Sequence, residues 1–83
     1  MNYQLTHHAI ERFSQRFEGG GDIIEELRET WRASRGLVKK IRAKDRSAKP
    51  GTVYMVSRRA VFPCRRLSSG VDRLLVLSCW PRP

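Results

Sequence analysis

Eighty-three residues with a formal net charge of +9 and 40% hydrophobic composition describe one small basic domain, residues 1–83, with side chains enough for a modest core. That excludes a disordered tail, and no apolar run approaches the roughly 20 residues needed to span a bilayer. The N-terminus has no signal-peptide pattern, so a cytoplasmic protein without membrane contact is expected.

In chain order, Asn2-Tyr3-Gln4-Leu5 alternates and reads as a short strand. Thr6 then offers an N-cap hydroxyl to the first turn of a helix in which Ile10, Phe13 and Phe17 share an apolar stripe beside Ala9. His8, Arg12 and Arg16 recur at i, i+4, i+8 and make a second stripe. Gly19-Gly20-Gly21 ends that helix. Asp22-Ile23-Ile24-Glu25 has the form of a capping box and opens a second helix, with Ile23, Ile24, Leu27 and Trp31 inward and Gly36 as its stop. Two helices joined by a glycine turn predict an antiparallel hairpin.

From Leu37 the pattern becomes alternating, so Leu37 to Arg42 reads as a half-buried strand with a basic flank. Residues 43–51 read as a loop, and Thr52 to Ser57 as a strand. Arg58-Arg59 sits at a turn before a strand starting Ala60-Val61-Phe62. Pro63 lacks a ladder donor, which predicts an edge strand or a bulge. Ser68-Ser69-Gly70 turns again, and Leu74-Leu75-Val76-Leu77 is apolar enough for a strand covered on both faces near the sheet's centre. The expected fold class is α+β: an N-terminal strand and a two-helix antiparallel hairpin packed on a three- to four-stranded antiparallel sheet.

The charge is lopsided. Residues 1–34 carry four Arg against six acids, a balance of −2, whereas 35–83 carry thirteen Lys and Arg against two acids, a balance of +11. Such a half seeks a polyanion, RNA foremost, or an acidic protein surface. Its candidate nucleic-acid contacts are Lys39, Lys40, Arg42, Lys44, Arg46, Arg58, Arg59, Arg65 and Arg66. Tyr54 and Trp80 can stack on bases or serve the core. Cys64 and Cys79 read as packing residues out of register for a disulfide. His7 and His8, as sequence neighbours, point about 100° apart on a helix, so no metal site is expected, and no cofactor.

RNA cleavage without a metal needs a base for the 2′-hydroxyl and fixed cations for the phosphorane. His8 in the first helical turn, where the dipole favours the neutral ring, is the candidate base; Arg12 and Arg16 are the candidate phosphate ligands. The opening Leu5-Thr6-x-His8-Ala9-x-x-Arg12-Phe13-x-x-Arg16, followed by a second helix and Val61-Phe62 and Leu75-Val76-Leu77, resembles the small BrnT-like branch of the RelE/ParE toxin superfamily, which includes phage and prophage proteins. The resemblance implies a helical hairpin on an antiparallel sheet, an acidic antitoxin partner, and either mRNA cleavage or a hold on DNA gyrase. Carried over by position, it marks His8, Arg12 and Arg16. Where RelE-type members often place a catalytic Tyr or His near the C-terminus, this chain has Ser78-Cys79-Trp80-Pro81-Arg82.

Two functions follow. One is a small toxin-like protein that binds RNA through a cationic helix-plus-sheet face, acting, where it is an enzyme, as a metal-independent endoribonuclease. The other is a non-catalytic inhibitor, phage- or prophage-encoded, that binds an acidic host protein or nucleoprotein complex.

Overall fold

A computed structural model describes residues 2–17, 21–45, 49–67 and 73–82. β1 (Asn2–Leu5) turns Tyr3 and Leu5 toward the core and leaves Asn2 and Gln4 exposed, as the alternation predicts. Thr6 then joins two elements at once. Its Oγ accepts from the Ala9 amide at 3.0 Å, starting α1 (His7–Arg16), and donates to the carbonyls of Val76 at 3.0 Å and Leu77 at 3.2 Å. One hydroxyl therefore caps the helix and fixes its start against the far end of the chain. α1 buries Ala9 and Phe13, but Ile10, expected on the same stripe, is 45% exposed.

α2 (Ile23–Arg28) starts where the capping pattern predicts, with Asp22 Oδ1 accepting from the Ile24 amide at 2.9 Å. It stops after six residues, well short of Gly36. The Leu27 carbonyl, which a continuing helix would offer to Trp31, accepts instead from the Thr30 hydroxyl at 2.6 Å and the Thr30 amide at 3.2 Å. Trp31 is freed for β2 (Trp31–Arg32) and lies 46% exposed rather than in a helical core.

The segment expected as a strand from Leu37 to Arg42 lies inside α3 (Arg35–Lys44). Ser34 caps it, accepting from the Leu37 amide at 3.3 Å, and Gly36 sits exposed in its first turn instead of ending a helix. Leu37, Val38 and Ile41 form one inward stripe.

β3 (Val53–Val56) and β4 (Ala60–Arg66) form an antiparallel pair around the Ser57 turn, where Ser57 Oγ accepts from the amides of Ala60 at 3.1 Å and Arg59 at 3.4 Å. β5 (Arg73–Val76) and β6 (Trp80–Pro81) share the other side of β4, β5 against its C-terminal part and β6 against its start. The described strands make a six-stranded sheet of order β1-β5-β4-β3-β2, with β6 beside β4. It is mixed rather than antiparallel, because β1 runs parallel to β5. β4 is thus interior rather than an edge, and a bulge lies opposite Pro63 in the facing chain, where residues 77–79 stand against 62–63 between the β5 and β6 pairings. The Pro63 carbonyl accepts from the Leu77 amide at 2.9 Å, and the Leu77 carbonyl, which an N–H at position 63 would have reached, accepts instead from the Thr6 hydroxyl at 3.2 Å.

The helices take opposite sides. α1 and α2 close one face over Val53, Met55, Phe62, Cys64, Leu74 and Val76; α3 closes the other over Tyr54, Val56 and Val61, with Trp80 packed alongside. The two expected helices thus share one face, and α3 on the other face is an element the strand reading of Leu37 to Arg42 did not contain. Leu74 and Val76 are buried, whereas Leu75 is half-buried, so β5 is covered on one face only. Both cysteines are free and buried, and burial pushes each thiol from 9.0 up to about 12. Among the described residues no helix is long and apolar enough to cross a membrane. The expected loop positions Gly19-Gly20 and Ser68-Ser69-Gly70, and Arg46, lie outside the described residues.

Candidate functional site

The His8, Arg12, Arg16 stripe forms as its spacing predicts. Arg12 Nε donates to His8 Nε2 at 3.4 Å and Arg12 Nη1 to Gln15 Oε1 at 3.3 Å. Among the described residues His8 hydrogen-bonds to Arg12 alone, and it is exposed. It lacks the two features that make an imidazole an effective base, a carboxylate that orients it and a wall that shields it. Eight residues of helix separate it from Arg16, about 12 Å along the axis, so the two do not share one phosphate.

Arg16 instead looks across the β6 edge. It lines a cavity of about 380 Å³ with Ile41, Lys44 and Asp45 of the α3 end and Trp80 and Pro81 of β6. Arg16 belongs to the helix on one face of the sheet and Lys44 to the helix on the other. Both line the cavity together with the two residues of the short β6, Trp80 and Pro81. Each cation lies in the last turn of its helix, where the dipole favours it whatever else it does. Those carbonyl ends repel anions, so any anion here must be held by side-chain charge. By helical spacing Lys40 stands one turn before Lys44 on the same flank, and Arg12 one turn before Arg16.

Asp45, the one acid among the described lining residues, is committed to structure. Asp45 Oδ2 accepts from the Tyr54 hydroxyl at 2.9 Å, and the Asp45 amide ends α3 by donating to the Ile41 carbonyl at 2.9 Å. Burial, then Asp45, raise the Tyr54 pKa above 10.0, while Arg42 beside the hydroxyl pulls it down. Tyr54 is 2% exposed and so is a core residue, not a stacking platform. Trp80 packs on the α3-side core yet keeps part of its indole on the cleft.

No protein-family model matches the chain, and searches of curated proteins and of solved structures find no match. The site rests on its own geometry.

The remaining cations do not share one surface. Lys39 is exposed on the outer side of α3, and Arg42 lies on its Tyr54 flank. Arg58 and Arg59 occupy the β3–β4 turn, beside a cavity of about 600 Å³ lined also by Glu26, Glu29 and Trp31. Arg59 serves packing: its Nη2 lies 2.9 Å from Glu26 Oε1, and its guanidinium sits 5.1 Å from the Phe17 ring and 5.9 Å from that of Phe13. Arg65 and Arg66 are adjacent in β4 and emerge on opposite faces. Sequence reasoning missed Arg82, which lies 5.6 Å over the Trp31 ring and ties β6 to the Ser57 carbonyl at 3.3 Å. Nothing local marks a C-terminal Arg for that role. Among the described residues no group of three His, Cys, Asp or Glu could hold a metal.

Proposed function

We propose that the chain binds single-stranded RNA, holding phosphate between Arg16 and Lys44 and laying a base against Trp80, without cutting the strand. The observation that carries this reading is one cavity lined by Arg16, Lys44 and Trp80, its two cations borne by helices on opposite faces of the sheet. Phosphate supplies the counter-charge the two walls need, and an unpaired base supplies the flat ring. A duplex keeps its bases stacked inside and offers the indole nothing. Cleavage is left out because His8 stands exposed and about 12 Å along α1 from Arg16.

The test is fluorescence anisotropy with a labelled oligoribonucleotide in EDTA, with the RNA checked on a gel. Arg16→Ala and Lys44→Ala each lower affinity about fivefold at about 0.1 M salt, one phosphate contact apiece on a single strand. Lys39→Ala and His8→Ala leave binding near the wild-type value, and the RNA stays whole. Affinity indifferent to both cleft cations overturns the proposal. So does RNA cleavage that His8→Ala abolishes, which would restore the nuclease reading.

A further inference from the structure

Beyond the cleft, the sheet face that carries α3 is only half covered. α3 lies over Tyr54, Val56, Val61 and Trp80, and the half-buried Leu75 and Leu77 pack into neither core cluster. Strand alternation fixes what else lies on that open half. In β4 the side chains of Ala60, Phe62 and Cys64 enter the α1-side core, so Arg65 points to the α3 side with Val61, and Arg66 to the other. In β5 Leu74 and Val76 enter the α1-side core, so Arg73 and Leu75 point to the α3 side. Register makes these a continuous lane beside β4. Trp80 stands opposite Val61 and Leu75 opposite Arg65; Leu77 donates to the Pro63 carbonyl, and the Arg73 carbonyl accepts from Leu67.

We propose that this lane is the continuation of the RNA site: a strand whose first phosphate is held in the cleft runs up β5, its bases over Leu77 and Leu75 and its phosphates against Arg65 and Arg73. The inference rests on the proposed function and deepens it by giving the ligand a length and a direction. Charge complementarity selects the occupant. Both Arg65 and Arg73 are exposed, and no described residue on the open half is acidic. Continuity with the cleft selects a chain rather than a separate anion. From Val61 to Leu67 the lane spans six residue-to-residue steps, about 20 Å, which suits about four nucleotides, the lower end for single-strand binders. The apolar pair between the cations takes base faces without reading them, so the grip is sequence-tolerant.

The experiment is anisotropy with labelled oligouridylates of roughly two to eight nucleotides, on wild type, Arg65→Ala, Arg73→Ala and Arg66→Ala. Affinity rises up to about four nucleotides and then levels. Arg65→Ala and Arg73→Ala each remove about fivefold from the longer oligomers at about 0.1 M salt and nothing from the dinucleotide. Arg66→Ala, with the same charge change one residue away, leaves every length unaffected. If Arg65→Ala and Arg66→Ala lose equally, the lane is refuted in favour of diffuse charge. If length brings no gain while Arg16→Ala and Lys44→Ala still weaken dinucleotide binding, the lane falls and the cleft stands. If no oligomer binds, both fall together.

Discussion

Tyr54→Phe tests the hydroxyl that ties the core to the cleft. The substitution removes a single oxygen from a residue 2% exposed, leaving the ring in the core cluster with Ile41, Val56 and Val61. That oxygen donates to Asp45 Oδ2 at 2.9 Å. A hydrogen bond to a charged acceptor contributes about 1.5–3 kcal/mol when both ends are dry. Asp45 is half-buried on the cleft side, so water can re-solvate its carboxylate and the loss falls to about 1–1.5 kcal/mol. For a domain of this size that lowers Tm by about 5–10 °C. Thermal melts followed by far-UV circular dichroism measure it, and a cycle with Asp45→Ala apportions it, with a coupling of about 1 kcal/mol. A pH series adds an independent arm. The fold holds the Tyr54 hydroxyl protonated above 10.0, chiefly by burial and secondly by Asp45. The unfolded chain therefore releases that proton first, and stability falls as pH climbs past about 10. The variant has no proton to lose there and falls less. A Tyr54→Phe protein that melts at the wild-type temperature, shows no coupling to Asp45 and keeps the same alkaline slope would refute the reasoning.

Arg59→Ala lowers stability by about 1–2 kcal/mol, combining a pair whose Arg end is 41% exposed with stacking on Phe17 and Phe13, while Arg58→Ala in the same turn costs under about 0.5 kcal/mol. Urea titration of both variants checks the contrast, and equal losses would remove the packing role given to Arg59. Cys64 carries a second alkaline prediction: its thiol ionises near 9.0 in the unfolded chain and about 12 in the fold, so its contribution is complete below pH 9 and drains away as pH rises toward 12. By about pH 10 the loss is about 1.4 kcal/mol for this thiol, measured under reductant as the difference in alkaline slope between wild type and Cys64→Ala, and parallel slopes would contradict it.

Side chains that satisfy their own neighbours were legible in the chain. Thr6 and Asp22 cap the helices they were expected to cap, β1 and β3 form where alternation and β-branching place them, and the His8, Arg12, Arg16 stripe needs only helical spacing. The sequence pattern alone reads α3 as a strand because a short apolar run fits a strand or a helix about equally well. The arbiter was Ser34, a cap three residues before Leu37, with Val38 and Ile41 following at helical spacing. Trip points of this kind are local and correctable. The end of α2 is harder, since Trp31 continues the spacing of Leu27, and only the Thr30 hydroxyl turning back on the Leu27 carbonyl shows that the helix stops.

The site was illegible for a different reason. A net balance of +11 over residues 35–83 states how much positive charge there is and says nothing of where it goes. Strand alternation sends Arg65 and Arg66 to opposite faces, and Glu26 with two phenylalanine rings occupies Arg59. Arg16 and Lys44 come within one cleft only because α3 crosses the face opposite α1, an outcome set by Tyr54, Val56 and Val61 exposing apolar surface there. The address of each cation is thus decided by apolar neighbours that carry no charge themselves. On the proposed RNA-binding reading, substitutions altering those neighbours change affinity at unchanged net charge: Val56→Ala, which loosens the seat of α3, is expected to weaken oligoribonucleotide binding measured by anisotropy while leaving the total at +9.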